Sequence, residues 1–344
     1  MKAAAATTVE PPTSPEAYPR WPHRLAVLLV CATYPMIWIG ALVTTTRAGM
    51  AVPDWPSTYG YNLLLYPWET WFFGPWDLFI EHGHRLFGVL VGLLTIGLCL
   101  GLWLWDERGW VRVLGLVALV LVIAQGVLGG LRVVFDEVRL AQLHGCAAQF
   151  FFAFTVAMAV FTSPWWRRGG ISAATTGGLP RIALLTTLLV YLQIVLGSFL
   201  RHVHPTMHHE SFRIVVVFHV VLAAIVVAQG FLLGVSVWRS RVRLGMSWLA
   251  ALLVTLTLAQ VAVGIATWLW KYALPFEALA GWAPLNGWLN TAGSMSESIM
   301  ATAHVAVGAL ILATALTIAL RSLRIAQLAR QMPTPLAGAT GAVA

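Results

Sequence analysis

The sequence predicts an all-α polytopic membrane protein with eight transmembrane helices, arranged as two pseudo-symmetric four-helix bundles. Of its 344 residues, 59% are hydrophobic and 10% are charged, and the mean hydropathy is +0.80. Eight apolar runs are each about 20 residues long, which is the length that a membrane-spanning helix needs. These runs lie near 25–46, 82–104, 111–131, 140–162, 182–201, 213–236, 246–270 and 298–320.

A short motif recurs in alternate runs and indicates an internal repeat. The third, fifth and seventh runs contain Gln-x-x-x-Gly at 125–129, 193–197 and 260–264, and the first run has Met36 to Gly40 in its place. Each of these runs precedes one with a histidine near its outer end. The glycines alone would indicate only close helix packing. Their coincidence with the following histidine predicts four copies of a two-helix unit.

Composition divides the chain into five segments. The first residues are rich in Ala, Thr, Pro and Glu and lack the long apolar core of a signal peptide. A turn-rich, basic stretch beginning Ser-Pro-Trp-Trp-Arg-Arg-Gly-Gly separates the two groups of four runs. The predicted segments are a disordered cytoplasmic tail (1–24), an N-terminal bundle (25–162), a cytoplasmic linker (163–180), a C-terminal bundle (181–324) and a second disordered tail (325–344).

The net charge of +8 reflects membrane topology rather than nucleic-acid binding. The lysines and arginines fall about two to one in loops on the side of the N-terminus, and most acidic residues fall on the other side. Positive charge accumulates in cytoplasmic loops. The chain is therefore predicted to lie in the cell (inner) membrane with both termini in the cytoplasm.

Four histidines lie on the even-numbered runs: His84, His144, His219 and His304. A lone histidine in an apolar helix is most often a buried residue with a hydrogen-bond partner. These four lie roughly 5–10 Å inside the nearest outer charge, at similar depth. Two facing helices can hold one haem iron between matched histidines. The sequence thus predicts two haem sites toward the outer face, whereas four dispersed histidines without cysteine form a poor zinc pattern.

The two predicted sites differ in one carboxylate. Glu81 lies three residues before His84, on the same helix face, whereas Val216 and Ala301 hold the corresponding positions in the second half. This asymmetry indicates that the first site performs chemistry and that the second holds a fixed haem. Two alternatives stay open at this point: an ion pair between Glu81 and Arg85, and a haem propionate bound by Arg85.

Two outer segments carry less specific signals. Residues 48–80 are crowded with aromatic side chains, which suit an aromatic belt or a lid over an apolar substrate. His82, beside the first site, is expected to face outward. The segment 202–213 is interpreted as a solvated or haem-edge loop, with propionate or metal binding as alternatives. Its histidines are His202, His204, His208 and His209.

Several motifs together resemble the haem A synthase family, over about residues 25–322. They include Glu81-x-x-His84-Arg85, Leu143-His144, Phe218-His219 and the run from His304 to Leu310. The run from Gly40 to Gly49, followed by Pro53-Asp54-Trp55-Pro56, is similar as well.

The resemblance implies an enzyme that oxidises a methyl group of haem O to a formyl group, giving haem A for terminal oxidases. By matching positions, His84 and His144 would hold the substrate haem, and Glu81 would act at the methyl. His219 and His304 would hold a permanent haem b. Haem O synthase is the implied partner, and the electron donor and any homo-oligomer stay open. Some family members carry a loop cysteine pair, where this chain has Val52 and Thr58.

Two rival functions fit part of the pattern. A di-haem b-type cytochrome that exchanges electrons with quinone explains four histidines but not the asymmetric Glu81. A transporter built from duplicated bundles would bind its substrate near the midplane between broken helices. The clustering of polar groups at one face of this chain does not favour a transporter.

Overall fold

The computed structural model describes residues 19–168, 176–203, 206–240, 243–272 and 294–331. Within these ranges the regular structure is helical and contains no β-strand. Eight helices are long and apolar enough to cross a membrane, which confirms the predicted fold class. They are α1 (Trp21–Thr45), α3 (Trp76–Trp105), α4 (Gly109–Val134), α5 (Val138–Thr162), α7 (Leu179–Arg201), α8 (His209–Arg239), α9 (Arg243–Tyr272) and α10 (Met295–Gln331). Two short helices are α2 (Trp68–Phe72) and α6 (Pro164–Arg167).

Several helices extend beyond the predicted apolar runs. α3 begins at Trp76 rather than near 82, and α10 continues to Gln331. Residues 21–24 and 325–331 are therefore helical, and their assignment to disordered tails is wrong. Hydropathy marks only the part of a helix that lies in hydrocarbon, whereas the backbone ladder continues through interfacial residues. The remainder of both predicted tails lies outside the described residues.

Each set of four spans closes into a ring of contacts. α1 contacts α3, α3 contacts α4, α4 contacts α5, and α5 returns to α1. α7, α8, α9 and α10 repeat this pattern. The two sets, called here the first half and the second half, each surround an apolar core of their own. These contacts are consistent with the predicted grouping into two pseudo-symmetric bundles.

The halves meet along α1 and α5 of the first half and α7 and α10 of the second. Ile37, Phe152, Val156 and Ala309 form a third apolar cluster at this interface. Connections of three residues, such as 106–108 and 135–137, make neighbouring helices antiparallel. The first turns of α3, α5, α8 and α10 therefore lie at the same end of the molecule, which is called here the histidine end.

A buried ion cluster holds the opposite end together. The carboxylate of Asp106 is fully buried and lies 2.7 Å from Nη2 of Arg108 and 2.6 Å from Nη2 of Arg167. Arg112 donates from Nε to the Asp106 carbonyl. Burial opposes ionisation of Asp106, but the hydrogen bonds and charge of Arg108, with the charge of Arg167, lower its pKa below the ordinary value. The cluster joins the α3–α4 connection to α6.

Asp106→Asn is expected to destabilise the protein by about 1–3 kcal/mol, because two partly buried guanidinium groups lose their anionic partner. Thermal unfolding in detergent measures the loss. Glu210→Gln, which removes an exposed pair with Arg213, should change little. Since the folded-state pKa of Asp106 is lowered, its contribution is present above the ordinary carboxyl pKa and is lost as pH falls through the lowered value. The difference between Asp106→Asn and wild type should shrink accordingly, and a constant difference would contradict the assignment.

Candidate functional site

The four histidines form two facing pairs. The ring centroids of His84 and His144 lie 6.4 Å apart, with the rings at 86° to each other. The ring centroids of His219 and His304 are also 6.4 Å apart, at 63°. Two imidazole nitrogens that bind one metal ion at about 2 Å each place their ring centroids roughly 6 Å apart. Both pairs therefore have the spacing of two axial ligands on one iron.

The repeat glycine lies directly behind each histidine. In every two-helix unit, a β-carbon added to this glycine would approach Cε1 of the histidine on the following helix within 2.9–3.2 Å. The absence of a side chain thus makes room for the imidazole, which explains why the two features recur together. The four contacts are Gly40 with His84 (2.9 Å), Gly129 with His144 (3.0 Å), Gly197 with His219 (3.2 Å) and Gly264 with His304 (2.9 Å).

The repeat glutamines contact the same histidines. The side-chain amide of Gln193 donates to the carbonyl of His219 at 2.9 Å, and that of Gln260 donates to the carbonyl of His304 at 3.0 Å. Nδ1 of His84 is buried and has no hydrogen-bond partner among the described residues. A neutral imidazole that lacks a partner in a tight apolar cleft suits a metal-binding role, so the residues present fit haem iron.

Glu81 is buried, with 1% of its surface exposed, and both of its carboxylate oxygens have partners. Oε1 accepts from Nη2 of Arg85 at 3.0 Å, and Oε2 accepts from the backbone N–H of Val52 at 2.9 Å. Nη2 of Arg132 lies 3.7 Å from Oε1. The ion pair between Glu81 and Arg85 is therefore present, at the first turns of the helix that carries His84.

Arg85 pins the loop after α1 onto the first half. Its two Nη atoms donate to the carbonyls of Val52, Asp54 and Ser57 at 2.7–3.0 Å. Burial opposes ionisation of Asp54, but donors that include the N–H of Gly60 lower its pKa below the ordinary value. The loop is thus held without a disulfide. Arg85 thus already has four acceptors, including Glu81. A contact between Arg85 and a haem propionate stays a prediction from the sequence.

His82 does not face outward, and that expectation is wrong. It is 1% exposed, and its Nδ1 lies 3.2 Å from the hydroxyl of Thr58. The rings of Tyr66 and Trp71 pack against it with centroids at 5.2 Å. The aromatic segment folds back over α3, so part of it covers the first half. Helix periodicity alone gives no signal for this tertiary cover.

Arg132, near the end of α4, is a site residue that the sequence interpretation missed. Nη1 donates to the carbonyl of Gly49 at 3.0 Å, and Nη2 lies 3.7 Å from Oε1 of Glu81. A β-carbon on Gly49 would lie 2.3 Å from Nη1. The available signal was its position three residues after Gly129, which places it one helical turn beyond the histidine toward the histidine end.

An apolar cavity of about 340 Å³ lies between α1, α2 and α3. Its lining includes Ile39, Phe72, Gly83 and Phe87. The described part of the lining contains no residue of a histidine pair. Successive residues point about 100° apart around a helix, so Gly83 and His84 face different directions.

The loop histidines are dispersed. His202 directly follows α7, His208 precedes α8 and His209 begins it. His204 lies outside the described residues. Among the residues that the structure describes, no three His, Cys, Asp or Glu side chains form a group able to hold a metal ion.

Residues 75–215 match the family model described as "COX15-CtaA: Cytochrome oxidase assembly protein". The chain is 28% identical over 199 residues to a protein of Shouchella clausii named "Heme A synthase". The resemblance to the haem A synthase family is confirmed. A second "Heme A synthase", of Alkalihalophilus pseudofirmus, is 26% identical over 178 residues.

These matches cover 55% and 50% of this chain, and 62% and 57% of the two haem A synthases respectively. The matched part of the chain thus spans about three fifths of the length of these relatives. The family-model match includes Glu81, His84, Arg132 and His144. The second histidine pair lies beyond it.

Proposed function

We propose that the protein is a haem A synthase, which oxidises one methyl group of haem O to a formyl group and so supplies haem A for terminal oxidases. One observation carries the proposal. Two histidine pairs have the same ring-centroid spacing, 6.4 Å, but only His84 has a buried carboxylate one turn away on its own helix. The two sites are alike except for this acidic group. The site with the carboxylate therefore suits the chemical step, and the site without it suits electron transfer.

In this proposal His84 and His144 hold haem O as the substrate, and His219 and His304 hold a haem b. The haem b supplies one-electron transfer when bound. Gly129 and Gly264 fix the ring positions of His144 and His304, and Gln260 further restrains His304 through its carbonyl. The second pair has no acidic side chain at the position of Glu81, which suits a haem that is not chemically altered.

The conversion of a methyl to a formyl group removes four electrons and adds one oxygen atom. Two successive hydroxylations of the methyl carbon give a geminal diol, and loss of water leaves the aldehyde, as the family resemblance implies. The oxidant and the donor of electrons are separate partners, as is the haem O synthase that makes the substrate.

Glu81 is proposed to act beside the reacting methyl group. Its oxygens already accept hydrogen bonds from Arg85 and Val52, so the carboxylate is positioned as an anion rather than as a free acid. An anion at this place stabilises positive charge that develops at the methyl carbon. The loop pinned by Arg85 and the aromatic cover over His82 keep water from the site.

Haem O differs from haem b by a long isoprenoid chain, which requires an apolar volume next to the porphyrin. The apolar cavity of about 340 Å³ is lined in part by α3, the helix that carries His84, and is proposed to take this chain. The proposed orientation in the membrane, with both termini cytoplasmic and the histidine end outward, follows from the charge bias of the loops.

His144→Ala and His304→Ala test the division of labour between the pairs. In cells that make haem O, we expect His144→Ala to lose haem O and its oxidised products while keeping haem b, since only the first pair is broken. His304→Ala should lose haem b. Extraction and chromatography of the haems from purified protein measures both. His23→Ala is the control. His23 contacts Thr162 and belongs to neither histidine pair, so this variant should retain the wild-type haem content.

The same haem loss in His144→Ala and His304→Ala would contradict the assignment. Haem b alone in the wild-type protein would favour the di-haem cytochrome that exchanges electrons with quinone.

A further inference from the structure

In α4, α7 and α9, a cation follows the repeat glycine toward the histidine end. Arg132 follows Gly129 by three residues, Arg201 follows Gly197 by four, and Lys271 follows Gly264 by seven. Since α4, α7 and α9 run toward this end, a rise of 1.5 Å per residue places the cations roughly 5–10 Å beyond the imidazoles. That distance is comparable with the distance from a porphyrin iron to the carboxylates at the edge of the ring.

His202 lies at the interface between the halves, close to the helix that carries His144. His202 directly follows α7, and a β-carbon on Gly145, the neighbour of His144, would lie 3.8 Å from its Cε1. Burial and the charges of Arg201, Arg132 and Lys271 lower the pKa of His202 to about 4, although a contact with the Ser198 carbonyl opposes the shift. Cations from α4 of the first half and from α7 and α9 of the second therefore act electrostatically on the same side chain.

The arginines of this region are incompletely paired. Arg201 donates from Nη2 to the carbonyl of Ala41, and its buried Nε has no hydrogen-bond partner among the described residues. Arg132 reaches a carbonyl and approaches Glu81 only to 3.7 Å.

The carboxylates that interact with the cluster are few. Glu81 already accepts from Arg85, Asp136 interacts with Arg132, and Glu297 interacts with Lys271. Buried guanidinium groups are costly unless anions accompany them. The cluster therefore has the positive charge of a carboxylate-binding site, and the buried Nε of Arg201 is a donor without a partner among the described residues.

We propose that Arg132, Arg201 and Lys271 form a binding site for the propionate carboxylates of the two porphyrins. This inference rests on the proposed function, because it takes both histidine pairs to bind haem. Arg132 serves the porphyrin between His84 and His144, and Arg201 and Lys271 serve the porphyrin of the second pair. Both porphyrins then point their propionate edges toward the histidine end, and the cluster between them links the two sites.

This orientation restricts which substrate groups can meet Glu81. In haem O, the methyl group that is oxidised shares its pyrrole ring with one propionate. A propionate bound by Arg132 therefore brings that methyl toward the carboxylate 3.7 Å from the same guanidinium. It also withdraws Arg132 from Glu81, which leaves Glu81 with Arg85 as its charged partner. Two pyrrole rings of haem O carry both a methyl and a propionate group, so Arg132 restricts the candidates for oxidation to these two methyl groups.

Haem b and its dimethyl ester, in which both propionates are blocked, are the probes that test the site. Haem-depleted, detergent-purified protein carrying His144→Ala is titrated with each probe to measure binding at the second pair. We expect the free acid to bind roughly 10- to 100-fold more tightly than the ester, as for the loss of one charge-assisted contact. Added Arg201→Gln should reduce this ratio at least about tenfold, and Arg201→Lys should restore part of it. For the first pair, the parent protein carries His304→Ala, and Arg132→Gln is the added substitution. The ratio of affinities for acid and ester is measured in the same way.

Arg213→Gln is the matched control, because it removes an exposed arginine in the first turns of α8, at the histidine end. It should leave the ratio between acid and ester unchanged. Equal binding of both probes by the parent proteins would overturn the proposal. So would a loss of affinity for acid and ester alike in Arg201→Gln, because that result indicates only a packing role. A wild-type protein that binds no haem would instead refute the proposed function itself.

Discussion

Glu81→Gln is expected to slow oxidation of haem O by about 100- to 1,000-fold, the range found when one electrostatic stabiliser is removed from an active site. Glutamine keeps the size of the side chain and an oxygen that can accept from the N–H of Val52. The negative charge beside the reacting methyl is lost. Arg85 still donates to the carbonyls of Val52, Asp54 and Ser57, so the loop stays in place. Haem O should therefore accumulate, bound and unaltered, and chromatography of extracted haems measures it.

Glu69→Gln is a suitable control, since it neutralises an exposed acid in α2 at the same end of the molecule. Its rate of oxidation should match that of the wild type. Unchanged oxidation by Glu81→Gln would remove the central argument for a reactive first site. The di-haem cytochrome would then account better for the four histidines.

Gly129→Ala is expected to lower haem affinity at the first pair by tenfold or more. The added β-carbon would lie 3.0 Å from Cε1 of His144 and 3.4 Å from Nδ1, so the ring must move from its place opposite His84. Axial ligation tolerates little displacement, because metal–nitrogen distances are held within a few tenths of an ångström. Titration of haem-depleted protein, followed by the visible absorption spectrum, measures the change.

Gly126→Ala provides a matched control within the same helix. A β-carbon at Gly126 meets no atom within 4 Å, and alanine stabilises a helix relative to glycine. Gly126→Ala should therefore bind haem as the wild type does and be at least as stable. Equal haem affinity in Gly129→Ala and wild type would show that the glycine is not needed to place His144.

Local periodicity predicts much of this molecule. Hydropathy locates all eight spans, because each must satisfy its backbone within an apolar helix. The repeat links Gly197 to His219 and Gly264 to His304 in sequence, and the structure shows that each glycine contacts its histidine. The pairing of matched histidines follows because a regular up-and-down bundle brings equivalent depths together.

Long-range loop contacts explain what the sequence does not predict. His82 is buried because Thr58, Tyr66 and Trp71, all in the segment between α1 and α3, fold back over α3. Arg132 joins the site through the carbonyl of Gly49, which lies 83 positions away in the chain. A hydrogen bond to a distant backbone carbonyl leaves no periodic signal in either segment.

Conversion of haem O by the purified protein tests the central claim most directly. Protein loaded with haem O and haem b would be supplied with reductant and dioxygen, and the extracted haems would be identified by mass spectrometry. The account predicts a haem O derivative with a hydroxylated methyl group, followed by the formyl product haem A. Haem O that keeps its original mass, while both bound haems undergo reduction and reoxidation, would contradict the account and indicate an electron-transfer cytochrome.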